Sequence, residues 1–504
     1  MIYSTGQYGG TLKGTDVNIL KQMVRRVFAP EFLIKPEKRL GELPNTRTAY
    51  SNMMKIAAPS IAEMVFMSLI GSVDTIMIGG LGKTAISAIG LTAQPRMLIM
   101  MIFFALNVGV TAIVARRKGE ERQEEARNTL RNAMMLVLIA SVLMTALSIV
   151  FSEGLVILAA GGGAPKSPEE VEARRLGAAY FRILMSSLPI NALALCINAS
   201  QRGIGKTKIT LYVNVVSNVV NVIFNYLLIS GQWGFPALGV QGAAIASDLG
   251  IIMGALLSLF TVLYRSPKNE GYLYIGLKGP WRFKKDTLVS VVRLGSNAMI
   301  EQVGLRFGFF LYSAMIVSLG QTSHAANLIC QQFLNMSFCF GDGISVAVTS
   351  LVGQNMGRKR ADLSAMYGKI AQRYALMIAF VLMTTFITFR APFTALFLDK
   401  GTKDATQVLA LAASTMILIG IYQPFQMTTV VLAGCLRGAG DNAYVGTVSS
   451  ICVGFVRPVM TLLALHLFDA SLQLTMAFGL SEILLRMSMM YLRFASGKWT
   501  TKKV

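Results

Sequence analysis

Charge is what this sequence has least of. Of 504 residues only 14% are Asp, Glu, Lys or Arg, while 54% are hydrophobic; a soluble globular chain carries about 25% charged residues. The composition is that of a polytopic membrane protein. Acidic residues are scarcest, 25 against 47 Lys and Arg, for a formal net charge of +22. That balance would suit nucleic acid, but the basic residues sit in short loops between apolar runs. This is the positive-inside pattern, and no nucleic-acid partner is expected. There are two histidines, His324 and His466. No nucleophile–base arrangement is visible, so no enzyme is expected. The five cysteines (Cys196, Cys330, Cys339, Cys435, Cys452) lie in or at the ends of apolar runs without CxxC or Cys/His spacing. Neither a disulfide framework nor a zinc site is indicated. GIGKT (203–207) ends like a phosphate-binding loop, but Ser200 stands where the first glycine belongs and no strand precedes it, so no nucleotide site is expected.

What is present is length in apolar runs. Twelve stretches reach the roughly 20 residues a span requires. They run approximately 52–79, 87–114, 130–159, 173–198, 207–230, 239–264, 288–318, 324–352, 366–389, 404–434, 442–467 and 470–492. Lys and Arg crowd the first 50 residues, 115–131, 264–286, 357–369 and the C-terminus, and thin out in the alternate loops. An even span count with the basic loops inside puts both termini in the cytoplasm, in a plasma (inner) membrane. The first 50 residues are polar and basic, so no cleavable signal peptide is expected. Within them Val17, Leu20, Met23, Val24, Val27 and Phe28 recur at helical spacing among Lys21, Arg25 and Arg26, which reads as an amphipathic helix on the membrane surface or as a loose tail.

The chain also repeats itself. GVTAIVARRKG (109–119) aligns with AVTSLVGQNMG (347–357), and GGLGKTAISAIGL (79–91) with VSLGQTSHAANLI (317–329), both 238 residues apart; QRGIGKTK (201–208) aligns with LRGAGDNA (436–443) at 235. Two six-helix copies with the same membrane orientation make a parallel repeat with a cleft between lobes, an architecture of transporters. The expected organisation is a cytosolic tail (1–50), an N-lobe (51–264), a cytosolic linker (265–286), a C-lobe (287–496) and a short C-terminal tail (497–504).

A charge at the bilayer centre costs at least about 2.5 kcal/mol and so marks a candidate ion or substrate site. The intramembrane acids are Glu63, Asp74, Asp248, Glu301, Asp342 and Glu482, with Arg96, Arg182, Arg306, Arg457 and Arg486. Glu63 and Glu301 are repeat-related, in the first helix of each half. A carboxylate that holds in turn a proton, sodium or a cationic substrate is the minimum an antiporter needs. The plainer alternative pairs each with an arginine, Arg306 being the candidate for Glu301 despite poor helical spacing. Asp74 lies eleven residues after Glu63, on the same helix face; its repeat counterpart is Tyr312, so a site there is asymmetric. Asp248 and Glu482 read as structural, paired with arginines such as Arg486. Asp342, in FGDGIS, is a candidate for lining the cleft. The stretch VNVVSNVVNVIFNYLLIS (213–230) carries Asn214, Asn218, Asn221 and Asn225 on one helical face. Hydrogen bonding between helices accounts for such a stripe, above all for Asn214 and Asn218.

SVDTIMIGGLG (72–82), the two RGxG turns, 218–247, TSLVGQNMGRKR (349–360), FVRPVM (455–460) and RFASGKW (493–499) follow one another in an order and spacing that resemble the multidrug and toxic compound extrusion (MATE) family of cation-coupled antiporters. The resemblance runs from about residue 51 to 500. It implies a cation site in the first lobe built from Asp74, amides and a span-five carboxylate. Many prokaryotic members carry Asn and then Asp four residues later in span five; the matching residues here are Asn221 and Asn225, so the carboxylate is missing. An asparagine can ligate sodium but cannot release a proton. The resemblance thus implies a sodium site at Asp74, Asn221 and Asn225, in which either Asp74 works with the amides alone or Glu63 restores the missing charge. Glu301–Gln302 is similar to the functional glutamate the family often carries in span seven.

The expected protein is therefore an all-α polytopic membrane protein, twelve helices in two pseudo-twofold-related bundles. It is read as a monomeric antiporter exporting amphipathic, cationic organic compounds in exchange for protons or sodium, without a cofactor. Glu301, Asp74, Glu63, Asn221, Asn225 and Asp342 are the candidate coupling and substrate residues. A lipid-linked oligosaccharide flippase of the same superfamily is the main alternative, and a non-transporting receptor or scaffold the third.

Overall fold

The computed structural model describes residues 28–165, 167–264, 272–276, 281–397, 405–468 and 471–502. The proposed amphipathic stretch 17–28 lies outside them except for Phe28.

Twelve spans follow one another: α1 Thr46–Gly79, α2 Lys83–Gly119, α3 Gln123–Val150, α4 Pro168–Gly203, α5 Thr207–Ser230, α6 Gly239–Leu263, α7 Lys285–Val317, α8 Gln321–Gly357, α9 Ala361–Thr388, α10 Ala405–Gly438, α11 Asn442–Leu467 and α12 Leu472–Ser496. The sequence makes helices here because a bilayer offers the backbone no water, so each peptide group must bond within its own segment. Among the described residues, ten spans are each long and apolar enough to cross, and α4 makes an eleventh as a bent pair. The twelfth, α12, is 25 residues long but carries Glu482, Arg486 and Arg493.

Three spans are broken. The expected run 130–159 ends at Phe151 and continues as a separate short helix, Ser152–Ala159. α4 bends by 50° between Pro168–Ser186 and Leu188–Gly203, where Pro189 opens the second piece and supplies no backbone N–H. α11 carries a π-helical segment, Cys452–Val456, just before Arg457. Such segments interrupt α-helices mostly at sites of function or close packing. Here α7 closes on it: a Cβ on Gly308 would stand 1.9 Å from the Val453 carbonyl oxygen.

The repeat is legible in the backbone. Gly205 and Gly440, the last glycines of the two RGxG turns, have φ +81° and +89°, a left-handed conformation that favours glycine. Glu121 and Lys359, 238 residues apart, share φ near +60° (59° and 58°). Thr111 donates to the Ala199 carbonyl at 3.1 Å, and Thr349 donates to the Gly434 carbonyl at 2.9 Å.

The halves meet at one end. A Cβ on Gly119 would lie 1.8 Å from the Gln354 carbonyl oxygen, and one on Gly357 would lie 2.1 Å from that of Arg116. These are the same contact seen from the two sides of a pseudo-twofold axis. Ser350 and Gln354 both donate to the Gly203 carbonyl, at 2.9 and 3.1 Å. Gly109 packs on Val291 and Leu294, and Gly343 on Ile61. The contacts of Gly119, Gly357 and Gly203 lie at the end that bears the basic loops, and those of Gly109 and Gly343 lie farther in. Toward the other end of α2 and α8, Leu98, Phe104, Leu328 and Met336 are exposed. The first helix of each half starts in its neighbour's core: Ala49, Met53 and Ala57 pack with the second half, Val291 and Leu294 with the first. The halves are closed together at the basic end.

Candidate functional site

The asparagine stripe of α5 faces α1, and each acid of α1 meets its own pair of α5 residues. Glu63 is fully buried. Arg202, at the end of α4, forms a short ion pair with its Oε1. Asn214 Nδ2 donates to the same oxygen at 2.6 Å, and the Thr210 hydroxyl donates to Oε2 at 2.7 Å. Three turns along, Asp74 is half-buried and accepts from Asn225 Nδ2 at 2.8 Å. With its amide nitrogen facing the acid, Asn221 donates to Asp74 Oδ1 at 2.9 Å and to Oδ2 at 3.3 Å. Its carbonyl then accepts from the Ser247 N–H and hydroxyl, both at 3.2 Å. Thr210/Asn214 on Glu63 and Asn221/Asn225 on Asp74 are thus one motif repeated after eleven residues, about 16 Å along the helix.

The two acids differ in what is left over. Glu63 has an arginine and both oxygens taken. Among the described residues, Asp74 is hydrogen-bonded by neutral amides alone, with the Arg96 charge acting on it without an ion pair. Beside it Asn225 Oδ1 is buried and accepts no hydrogen bond, which leaves a carbonyl oxygen next to a carboxylate, the donor set a hard cation takes. The idea that Glu63 supplies the charge missing from α5 does not fit: it is too far away and already neutralised by Arg202. Asn214 bonds across helices as the sequence suggested, whereas Asn218 donates to the Asn214 backbone carbonyl at 2.7 Å within its own helix.

Two residues that sequence reasoning left out belong to this pocket. Asp248 was expected to pair with an arginine. It accepts instead from the Ser187 hydroxyl at 2.6 Å, at the bend of α4, and follows Ser247, the partner of Asn221. Tyr180 of α4 lies within the fields of Asp74, Asp248 and Arg96. The clue was the position of Asp248 beside a serine in a small-residue run; its repeat relation to Glu482 pointed the other way.

In the second half Glu301 is buried and pairs with Arg437 Nη2 at 2.6 Å. The partner is the RGxG arginine, not Arg306, because Arg437 reaches Glu301 from α10 while Arg306 is exposed farther along α7. Glu301–Arg437 repeats Glu63–Arg202. Asp342 is exposed and lies within the fields of Arg437 and Glu301, so it joins that pair and stands apart from Asp74. Where the first half has Asp74, the second has buried Tyr312, whose hydroxyl donates to Asn327 Oδ1 at 3.1 Å. The buried Arg457 guanidinium lies 5.1 Å from the Tyr312 ring centre and 4.8 Å from that of Phe309. Its Nη2 is 3.4 Å from the Tyr422 hydroxyl. Glu482 sits between Arg486 at 3.0 Å and Arg457 at 4.0 Å, as the structural reading of Glu482 foresaw. One half therefore offers an acid among amides, the other an arginine among aromatic rings.

Comparison with known proteins fits this architecture. The MatE family model matches twice, over residues 59–227 and 298–463. The chain belongs to the MatE family. It is accordingly a multi-pass membrane transporter of the MATE fold and not an enzyme. The chain is similar to a probable multidrug resistance protein NorM of Thermotoga maritima, 27% identical over 92% of this chain and 95% of the relative. It is also similar to the multidrug resistance protein NorM of Vibrio cholerae, 24% identical over 78% and 82%. Among solved structures, a MATE crystal structure in complex with MaL6 aligns with a TM-score of 0.80 at 19% identity, covering 89% of this chain and 97% of the other. The outward-facing conformation of a multidrug resistance MATE transporter aligns equally well, with TM-score 0.80, 19% identity and the same coverage. The structures share the fold; the site has to be read from this chain's own residues.

Proposed function

We propose that this MatE transporter exports amphipathic, cationic organic compounds in exchange for an inward proton or sodium ion, and that Asp74 is the residue where the exchange occurs. The observation that carries the reading is the Asp74 pocket: a half-buried carboxylate held by two neutral amides, beside the unpaired carbonyl of Asn225. A cation arriving from the side opposite the basic loops competes there with the cationic substrate. Once the cation is bound, the halves rock, the basic end opens, and the ion leaves down its gradient. A membrane potential contributes about 2.3 kcal/mol per charge per 100 mV. The NorM relatives support drug-like substrates for this chain, and the basic loops support a plasma (inner) membrane with both termini cytoplasmic. Glu301 and Glu63 act as gate pairs in this scheme, with Asp342 beside the second gate. The test is uptake of a fluorescent organic cation into proteoliposomes under an imposed sodium or proton gradient. Gradient-driven uptake under one of the two, lost in Asp74→Asn, supports the reading. Uptake that ignores both gradients overturns it.

The flippase reading has one observation in its favour, the buried Arg457 in the second half, since an anionic pyrophosphate group needs a cation. Movement of a fluorescent pyrophosphate-linked lipid across the same liposomes, lost in Arg457→Gln, would favour it.

A further inference from the structure

At the closed end of the second half, a cavity of about 1000 Å³ opens between the segment before α1, the start of α9 and the end of α12. Lys35 and Lys38 enter it from the segment, Lys369 and Arg373 from α9. The fields of Arg373, Lys38 and Lys35 all fall on Lys369. Among the described residues one acid lines the groove, Asp362, and it is spoken for: Arg360 meets its two oxygens, each at 2.9 Å, and the Leu40 N–H donates to it at 3.0 Å. Lys369 Nζ donates to the Leu33 carbonyl at 2.6 Å, which holds the segment against α9 and uses one of the ammonium's three hydrogens. Four cations thus face a cavity in which the lining acid is already neutralised.

The rest of the wall is apolar. Leu376 and Tyr491 line the groove. Beyond them Met377, Phe380 and Val381 of α9 and Leu484, Leu485 and Leu492 of α12 are exposed, so the groove runs out onto the surface that faces the bilayer. A cationic cavity at the basic end, continuous with a lipid-facing apolar strip, matches a molecule with a phosphate head and acyl tails.

We infer that this groove binds the headgroup of an anionic phospholipid from the membrane leaflet at the basic end. The phosphate sits between the segment's lysines and the cations of α9, and the acyl chains lie along α9 and α12. The segment runs directly into α1 of the first half, so the lipid ties the start of α1 to the second half.

The test uses the purified full chain in detergent and native mass spectrometry of retained lipid, with phosphatidylglycerol against phosphatidylcholine. Wild type is expected to retain one phosphatidylglycerol in preference to phosphatidylcholine. Lys369→Gln/Arg373→Gln and, separately, Lys35→Gln/Lys38→Gln each lose about thirtyfold in affinity, two charges' worth beside an anionic headgroup. Arg282→Gln/Lys285→Gln, which removes the same charge from the linker side, changes nothing. The Lys35 and Lys38 side chains are exposed, so that variant keeps the test open if the α9 variant fails to fold. Equal loss in all three variants, no preference over phosphatidylcholine, or displacement of the lipid by matched glycerol phosphate would overturn the assignment; the last outcome would mark a site for free phosphate.

Discussion

The two halves of this transporter share the same lock but not the same pocket. Near the closed end each buries a glutamate from its first helix against the arginine of an RGxG turn, Glu63 with Arg202 and Glu301 with Arg437. Deeper along those first helices the symmetry ends: Asp74 lies among amides in one half, Tyr312 beside Arg457 in the other. Both halves must join and part at the same interface, so a packing device there serves both. A ligand pocket needs to exist only once, and the equivalent place in the second half has the opposite polarity.

The largest expected effect breaks the asymmetry directly. Asp74→Asn removes the acid that the two α5 amides hold, and gradient-driven uptake should fall to background. Tyr312→Phe, at the equivalent position, should leave gradient coupling intact while removing one hydrogen bond to Asn327, about 1 kcal/mol. If the two substitutions affect coupling equally, the halves are not specialised.

The next prediction concerns what the halves share. Gly119→Val and Gly357→Val each drive a side chain into the partner's backbone, so both should hold the basic end apart. Labelling of a cysteine placed at Ser350 from the side of the basic loops should rise severalfold in either variant. A response from only one of the two would show that the axis is not symmetric there. Smaller but still substantial is the loss of one lock partner: Glu63→Ala or Glu301→Ala leaves a half-buried arginine charge unpaired, which costs less than the ~3–5 kcal/mol of breaking a fully buried pair. Thermal unfolding in detergent should show similar losses for the two. The double change Glu63→Gln/Arg202→Gln should cost less than the sum of its parts.

The smallest effect sharpens the first-half site. Asn225→Ala removes the unpaired carbonyl and one donor to Asp74, and should weaken cation binding by about tenfold, the worth of one charge-assisted hydrogen bond. Asn225→Asp should tighten it. A null result for both would remove α5 from the site.

Much of this was legible in the sequence, for reasons that can be named. Apolar length and the 238-residue offset reported the helices and their duplication, because span length and repeat are linear properties of a chain. Asp74 and the lower asparagines were readable because α1 and α5 each present one face. The partners of Glu63 and Glu301 were not, since Arg202 and Arg437 come from other helices and nothing in helical spacing predicts that approach; Arg306 was simply the nearest in sequence. Asp248 was misread because its repeat relation to Glu482 outlived any shared role. The bend of α4 that delivers Ser187 to Asp248 depends on Pro189, whose effect on direction is set by packing.

The measurement that tests the central claim most directly is the stoichiometry of cation binding to the purified protein, by radiolabelled sodium and by proton uptake, in wild type, Asp74→Asn and Glu301→Gln. The account predicts one cation per chain, lost in Asp74→Asn and retained in Glu301→Gln, whose acid is already paired with Arg437. Retention in Asp74→Asn with loss in Glu301→Gln would contradict it and move the site to the second half.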